Sequence, residues 1–442
     1  MEWRLCYSTY QEHKVMRKMA QRQQFSWTRA DAVMLATVMV YLALGLLWQF
    51  SASYPYALAR GLSEYHYVVR QSAYTIVGVL LMIMVATCSY ELLRRFSVIF
   101  LVGIIFALCL TLTRFGYSIG GAKRWIAVGP LTFQASEWAK IALVLYGAGF
   151  LSRNVRKVRH NIAVTLHLLG VTAILAVLVL LQPHFSGAVL LGIIGAVMCF
   201  LGGARKRHLA VIAICVALMA PLIGKYTLRE YQRKRWAEFW DRKVDVLRED
   251  YQRWHAQLAL RAGGITGRGL CQSREKQLYL PAAHTDFIFP TIGEECGLLA
   301  TLGILLFYGL MAWYGFGIAC NTRDQFGALL AAGVTSLILI QAVLNIGVAL
   351  GILPTTGVPL PFLSIGGNAL VCTLIGMGLL FNVSRNRHVI LEAMGSANRN
   401  SQSRRRRGRH RRSYIPRHRV GTGVAETASR STHAFYRHTA RA

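Results

Sequence analysis

Residues 279–297 read YLPAAHTDFIFPTIGEECG, and three carboxylates, Asp286, Glu294 and Glu295, stand at the mouth of, and inside, a stretch otherwise apolar enough to cross a membrane. The apolar run they open, 285–318, is longer than the roughly 20 residues an untilted helix needs to cross a hydrocarbon core of about 30 Å. It is therefore expected to be a span with a helical extension or a re-entrant piece. With a helix starting near Pro281, Asp286, Pro290, Gly293 and Gly297 share one face, Glu294 lies at its flank and Glu295 opposite. Pro290 has no backbone N–H to donate and is expected to kink that helix. Two adjacent glutamates cannot both ionise cheaply at membrane depth, so at least one is expected to be protonated or paired with a cation such as Lys140. The plainer role for the pair is helix packing through a buried polar network, and for Asp286 a helix cap or first-turn acid.

The rest of the chain places this stretch in a membrane protein. Of 442 residues 54% are hydrophobic and 16% charged, unlike a soluble domain of that size. Apolar runs at 32–50, 72–89, 96–113, 134–151, 161–181, 186–202, 208–224, 285–318, 327–350 and 363–383 predict an all-α, polytopic protein with about ten transmembrane helices. The first run is preceded by basic residues and followed by Ser51-Ala52-Ser53, which looks like a signal-peptide cleavage site, but its length predicts a retained signal anchor. The organisation expected is a basic N-terminal segment at 1–30, a membrane domain at 31–383 and an Arg-rich tail at 384–442.

Lys and Arg set the orientation. The short loops at 89–95, 152–160, 202–208 and 319–326 hold ten of them, against five in the short loops at 51–70, 114–133, 182–185 and 351–361. Both termini are therefore expected in the cytoplasm, and the long loop 225–284 outside. The formal charge of +31 is concentrated where it argues against nucleic acid: 15 Arg follow Ser384, directly after the last span. Such a tail suits a disordered segment held near anionic lipid heads. The nine cysteines form no CxxC pair and mostly lie inside spans, which predicts neither a disulfide framework nor a zinc site.

Charge inside a bilayer is costly, so each intramembrane charge is a functional candidate. In GGAKRWIAVGPLTFQASEWAKIAL, residues 120–143, Lys123 and Arg124 lie in an outward loop beside Trp125, and Gln134, Glu137 and Lys140 follow at a spacing of three. A Glu137–Lys140 ion pair that anchors helices is one reading. Cations converging on an outward cavity to bind a phosphate or pyrophosphate is the other. LPTTGVPLPFLSIGGNAL, 353–370, holds too many prolines and glycines for an ordinary helix and suggests a cavity wall. Trp236, Trp240, Val244, Leu247, Tyr251, Trp254 and Leu258 recur at helical spacing and predict an amphipathic helix, preferably on the outer membrane surface, otherwise a partner-binding helix or a lid.

GAKRWIAVGPLTFQASEWAK, QPHFSGA, SREKQLYLPAAHTDFIFPTIGEECG and LPTTGVPLPFLSIGGNAL, taken in order over roughly 30–385, resemble the SEDS family (shape, elongation, division and sporulation). The SREKQLYLP and IGEE segments are more similar to its cell-division branch than to its elongation branch. The resemblance implies a SEDS fold and polymerisation of lipid II on the outer face of the cytoplasmic (cell inner) membrane. It also implies a class B penicillin-binding protein and other division proteins as partners, at the septum. It makes Asp286 the essential acid and Arg124 and Lys140, with Glu137, the cationic cavity, and it places Lys123, Trp125, His284 and Ser364 in the substrate site. A divalent cation such as Mg or Mn is the one cofactor it suggests. The chain departs from the family pattern in QPHFSGA for QPDLGT (His184), PAAH for PEAH (Ala282), SIGGNA for SYGGSS (Ile365, Asn368) and QASE for QPSE (Ala135).

Glycosyl transfer from a lipid pyrophosphate needs a base for the acceptor hydroxyl and cations for the departing pyrophosphate, roles that Asp286 and Arg124 with Lys140 are suited to fill. The rival reading is a flippase for the same lipid-linked precursor; it uses the same cations but needs no base at the outer mouth, and no clear internal repeat of the transporter kind is visible. A pure scaffold would leave the intramembrane charges without purpose.

Overall fold

Thr28 starts the first helix because its hydroxyl accepts from the Asp31 N–H at 3.1 Å while the Asp31 carboxylate accepts from the Thr28 N–H at 3.1 Å, a reciprocal cap. The structure, a computed structural model, describes residues 28–386 except 120, 121, 129, 130, 206, 209, 211–250, 278 and 282. From Thr28 the chain forms α1 (Arg29–Ala59), α2 (His66–Thr87), α3 (Tyr90–Leu112), three strands, α4 (Ala135–Arg153), the short α5 (Val155–Val158), α6 (Ile162–Leu181) and α7 (Phe185–Leu201). After the undescribed 211–250 come α8 (Tyr251–Gly263), α9 (Ile288–Asn321), α10 (Gln325–Ala349) and α11 (Gly367–Asn386).

Seven of these, α1, α2, α3, α6, α9, α10 and α11, are long and apolar enough to cross a membrane. The apolar α7 is shorter, and α4 carries Glu137, Lys140 and Arg153. The predicted span 208–224 lies almost wholly outside the described residues, so nine of the ten expected spans correspond to described helices. Ser51, Ala52 and Ser53 are buried within α1, which runs on to Ala59.

Polar side chains tie the bundle together at one end. Asp31 accepts from Tyr314 of α9 at 2.6 Å and from Ser384 of α11 at 2.7 Å, and Tyr90 of α3 bonds Asp324, the N-cap of α10. Leu151 of α4 packs beneath Gly202, so the α4–α6 connection and the turn after α7 share this end. Helices also approach closely without bulk between them: a Cβ on Gly315 would meet the Thr335 side chain at 2.0 Å, as small residues permit in membrane bundles.

The other end departs from the all-helical expectation. Gly116–Ile119, Ala122–Val128 and Leu131–Phe133 form a three-stranded antiparallel sheet, β1–β2–β3, in the loop between α3 and α4. Trp125 pairs with Tyr117 and Lys123 with Ser118, so Arg124 is the extra residue of a β-bulge.

The expected start of α9 near Pro281 and the kink at Pro290 are both corrected. The helix begins at Ile288, which leaves Asp286 before its N-cap Phe287 rather than on a shared face with Gly293 and Gly297. Pro290 falls in the first turn, where its missing N–H costs nothing. The break is at Gly297, with φ 72° and ψ −165°, a conformation that only glycine adopts freely. The loop 264–269 supplies partners there: Arg268 and Gly269 N–H donate to the Glu294 and Glu295 carbonyls at 3.0 and 2.9 Å, and Leu298 N–H donates to Gly264 O at 3.0 Å. α9 is thus a short entering helix and a span, the extended piece its length predicts.

Candidate functional site

Glu294 and Glu295 belong to the scaffold of this end. Glu294 is wholly buried and accepts from Arg268 Nη1 and Arg274 N–H, each at 3.0 Å, and from the Ser273 hydroxyl. Glu295 accepts from Lys276 Nζ and the Ser51 hydroxyl, each at 2.6 Å. The cation expected beside them, Lys140, is elsewhere; the stretch Ser273–Lys276 provides the partners because the loop folds back over the broken helix. α8 packs against α9 and α10 through Ala256, Ala259 and Gly263 and leaves Trp254 and Leu258 exposed. The upstream part of that amphipathic pattern lies outside the described residues.

Asp286 sits half-buried at this covered mouth. Its backbone carbonyl accepts from Asn345 Nδ2 at 2.8 Å, and the same Nδ2 donates to Val358 O at 2.8 Å. Asn345 therefore joins the acid's turn to the proline-rich stretch 353–366, whose Gly357 faces the Asp286 carboxylate. That stretch is non-helical, as expected, and its Leu360–Ser364 part is buried: Gln49 donates to Leu363 O at 2.8 Å, Tyr308 to Pro361 O at 2.6 Å, and Leu360 N–H to Ser364 Oγ at 2.9 Å. Ser364 lines a small cavity with Gln341, Pro359 and Thr373.

His284 is buried, its ring 4.5 Å from that of Tyr56 and 5.6 Å from that of Tyr67, and its carbonyl accepts from Ile365 N–H at 3.1 Å. Burial, with the Arg60 charge beside it, pushes its pKa down to about 4, so it is a neutral support for the loop.

Of the cationic residues, Lys140 lines the neighbouring cavity. Lys140 Nζ lies 2.7 Å from Glu137 Oε2, both buried, and the pair lines a small cavity with Gln341, Cys372 and Thr373. Arg124, re-aimed by its bulge, donates through Nε to Gln182 O at 3.1 Å and through Nη2 to Pro183 O. It thereby clamps the turn that carries His184. Burial, then the charges of Arg124 and Lys140, pushes the His184 pKa down to about 3, and its Nδ1 is out of contact with solvent. Lys123 is exposed and Trp125 half-buried on β2.

Gln341 and Asn345, which sequence reading missed, connect the two halves. Four residues apart on one face of α10, they place the Lys140 cavity and the Asp286 turn one helical turn from each other along that helix. The signal available was a pair of amides at that spacing in an otherwise apolar span. Of the departures from the family pattern, Asn368 has a visible role: its Nδ2 donates to Thr132 O at 2.7 Å and its Oδ1 accepts from Gln134 N–H at 3.3 Å, joining α11 to β3 and the start of α4. Ala282 lies outside the described residues, and Ala135 is fully buried at the start of α4.

The FtsW/RodA/SpoVE family model, described as a cell cycle protein, matches residues 31–389. A probable peptidoglycan glycosyltransferase FtsW from Idiomarina loihiensis is 35% identical over 367 residues, 81% of this chain and 88% of that protein. Stage V sporulation protein E from Bacillus subtilis is 32% identical over 360 residues, 81% of this chain and 98% of that protein. A solved structure described as showing the structural coordination of polymerization and crosslinking by a peptidoglycan synthase complex matches with a TM-score of 0.66 at 30% identity, covering 82% of this chain and 99% of that one.

Proposed function

The chain belongs to the FtsW/RodA/SpoVE family of cell cycle proteins, and from that premise we propose that it is a peptidoglycan glycosyltransferase that polymerises lipid II during cell division. The observation that carries the reading is the face of α10, where Gln341 borders the Glu137–Lys140 cavity and Asn345 holds the turn of Asp286. An acid at the mouth and the Lys140 cavity one turn away along α10 suit the two ends of the transfer.

Asp286 takes the proton from the acceptor sugar hydroxyl as its oxygen bonds the anomeric carbon of the donor. The bond from that carbon to the pyrophosphate breaks with inversion, and Arg124 and Lys140 stabilise the departing lipid pyrophosphate. Lys123 and Trp125 lie at the approach; His284 and Ser364, both buried, hold the wall in shape. The donor set does not suit a resident divalent cation. The carboxylate in the cationic cavity, Glu137, is taken by Lys140, and His184, under the charges of Arg124 and Lys140, stands where the family pattern has an acid. No step is routed through a metal.

The basic end of the bundle faces the cytoplasm, with both termini, and the Asp286 end faces outward in the cytoplasmic membrane at the septum. A class B penicillin-binding protein, within a set of division proteins, crosslinks the product, and the Arg-rich tail rests on anionic lipid. The test is polymerisation of labelled lipid II by purified full-length protein, with and without that partner. Strand growth is expected; transfer of the precursor across vesicles without strand growth would replace the enzyme reading with that of a flippase.

A further inference from the structure

At the end of the bundle remote from Asp286, Arg159, just before α6, and Gly203, Ala204, Arg205 and Arg207, just after α7, line an open pocket of about 540 Å³. The cavities beside Lys140 and Ser364 hold only about 10 Å³ each. All three arginines are exposed, and none has an ion-pair or hydrogen-bond partner for its guanidinium among the described residues. Of the carboxylates at this end, Asp31 is taken by Tyr314 and Ser384, and Asp324 by Tyr90 and the Gly327 N–H. Among the described residues at this end, that leaves Glu91 alone against the basic groups.

We propose that this pocket is a binding site for the phosphate of an anionic phospholipid headgroup. Three guanidinium forks on two adjoining loops suit the several oxygens of a phosphate, which Arg binds bidentately. Ala204 is buried and gives the pocket an apolar floor between them. What favours a lipid over a free phosphate is the wall on either side. Ile162 and Leu166 on α6 and Phe200 on α7 are 44, 50 and 53% exposed, so an apolar surface runs from the pocket along both helices, where acyl chains would lie. Basic pockets between membrane helices at the cytoplasmic surface recognise anionic headgroups on this principle. The proposal does not depend on the reaction proposed above.

The test uses full-length protein in mixed micelles and counts phosphatidylglycerol bound, with phosphatidylcholine as the neutral comparison and inorganic phosphate as competitor. The tail is present in every sample, so it contributes equally. Arg159→Gln, Arg205→Gln and Arg207→Gln combined should weaken the tightest phosphatidylglycerol binding by roughly 10²-fold, and Arg205→Gln alone by about five-fold. The single variant keeps the test open if the triple variant fails to fold. Arg156→Gln with Lys157→Gln, neighbours outside the pocket, should leave that binding unchanged. Loss of the same size in the Arg156/Lys157 variant would reduce the effect to bulk surface charge. Displacement of the lipid by equimolar phosphate would assign the pocket to a soluble anion, and unchanged binding in the Arg205 variant would remove it as a site. Any of these overturns the proposal.

Discussion

Lys276 Nζ lies 2.6 Å from the Glu295 carboxylate, with both side chains buried and the Ser51 hydroxyl joining them from α1. The pair binds the loop that precedes α9 to the broken helix and to α1. Breaking a buried pair strands the remaining charge at a cost of about 3–5 kcal/mol, whereas replacing both partners by apolar groups of similar size is far milder. Lys276→Ala is therefore expected to lower the thermal midpoint of the detergent-purified protein sharply, and Lys276→Met with Glu295→Met to recover most of it. Equal losses in the two variants would show that the ion pair is not what holds the loop.

Gly297 tests the same junction through the backbone. A Cβ there would lie 2.4 Å from Gly267 N and Ile265 O, at a φ of 72°. Backbone strain of this kind alone costs about 1–3 kcal/mol, and the contacts add to it. Gly297→Ala should lower the yield of monodisperse protein, while Gly309→Ala, where an added Cβ meets nothing within 4 Å, should not. Similar yields from both would place the constraint elsewhere.

Two buried histidines predict a pH dependence. His284 has its pKa pushed down from 6.5 to about 4, and His184 to about 3, in each case chiefly by burial. The unfolded chain then binds more protons than the folded one at acidic pH, so stability falls as pH drops below about 6.5, to about pH 4 for the share of His284 and about pH 3 for that of His184. Each of His284→Gln and His184→Gln should flatten the thermal midpoint across that window. A parent protein whose midpoint rises on acidification would contradict the burial of both rings.

The membrane architecture was legible because the spans are long apolar runs, and the non-helical 353–366 because prolines and glycines forbid a regular helix. The break at Gly297 was not: glycine is ordinary inside membrane helices, and Pro290 was the louder signal. What fixes the break is a loop that arrives from 30 residues upstream, and no local pattern reports it. The bulge at Arg124 was hidden for a similar reason, since β1 to β3 are short and mixed in character. Glu294 and Glu295 stood out as costly charges; their partners, Arg268 and Lys276, were in plain view in the sequence but only the fold brings them together.

Arg124 donates to Gln182 O and Pro183 O, so it shapes the turn of His184 as well as presenting charge. Arg124→Lys keeps the charge but loses the fork. It should raise the KM for lipid II while retaining part of the turnover, whereas Arg124→Ala should lower kcat/KM further. Identical losses in the two variants would show that the fork and not the charge is what Arg124 contributes, and parent-like kinetics in Arg124→Lys would assign the residue to charge alone.

The last prediction separates the acid from its support. Removing a general base costs about 10²–10⁴ in rate, so Asp286→Ala should abolish detectable strand growth. Asp286→Asn should nearly do so, because the amide keeps the shape without the basicity. Asn345 acts differently: it donates to the backbone carbonyls of Asp286 and Val358 and does not itself present an acid. Asn345→Ala leaves both carbonyls without that donor and lets the turn drift from the wall, which predicts a partial loss with an unaltered pH profile for the residual activity. In an assay of labelled lipid II polymerisation by variants matched in monodispersity, Asp286→Asn and Asn345→Ala should therefore differ by at least about tenfold in rate, a barrier difference of about 1.4 kcal/mol. Near-normal strand growth from Asp286→Asn would remove the base assignment and leave Asp286 as one more anchor of the outer wall.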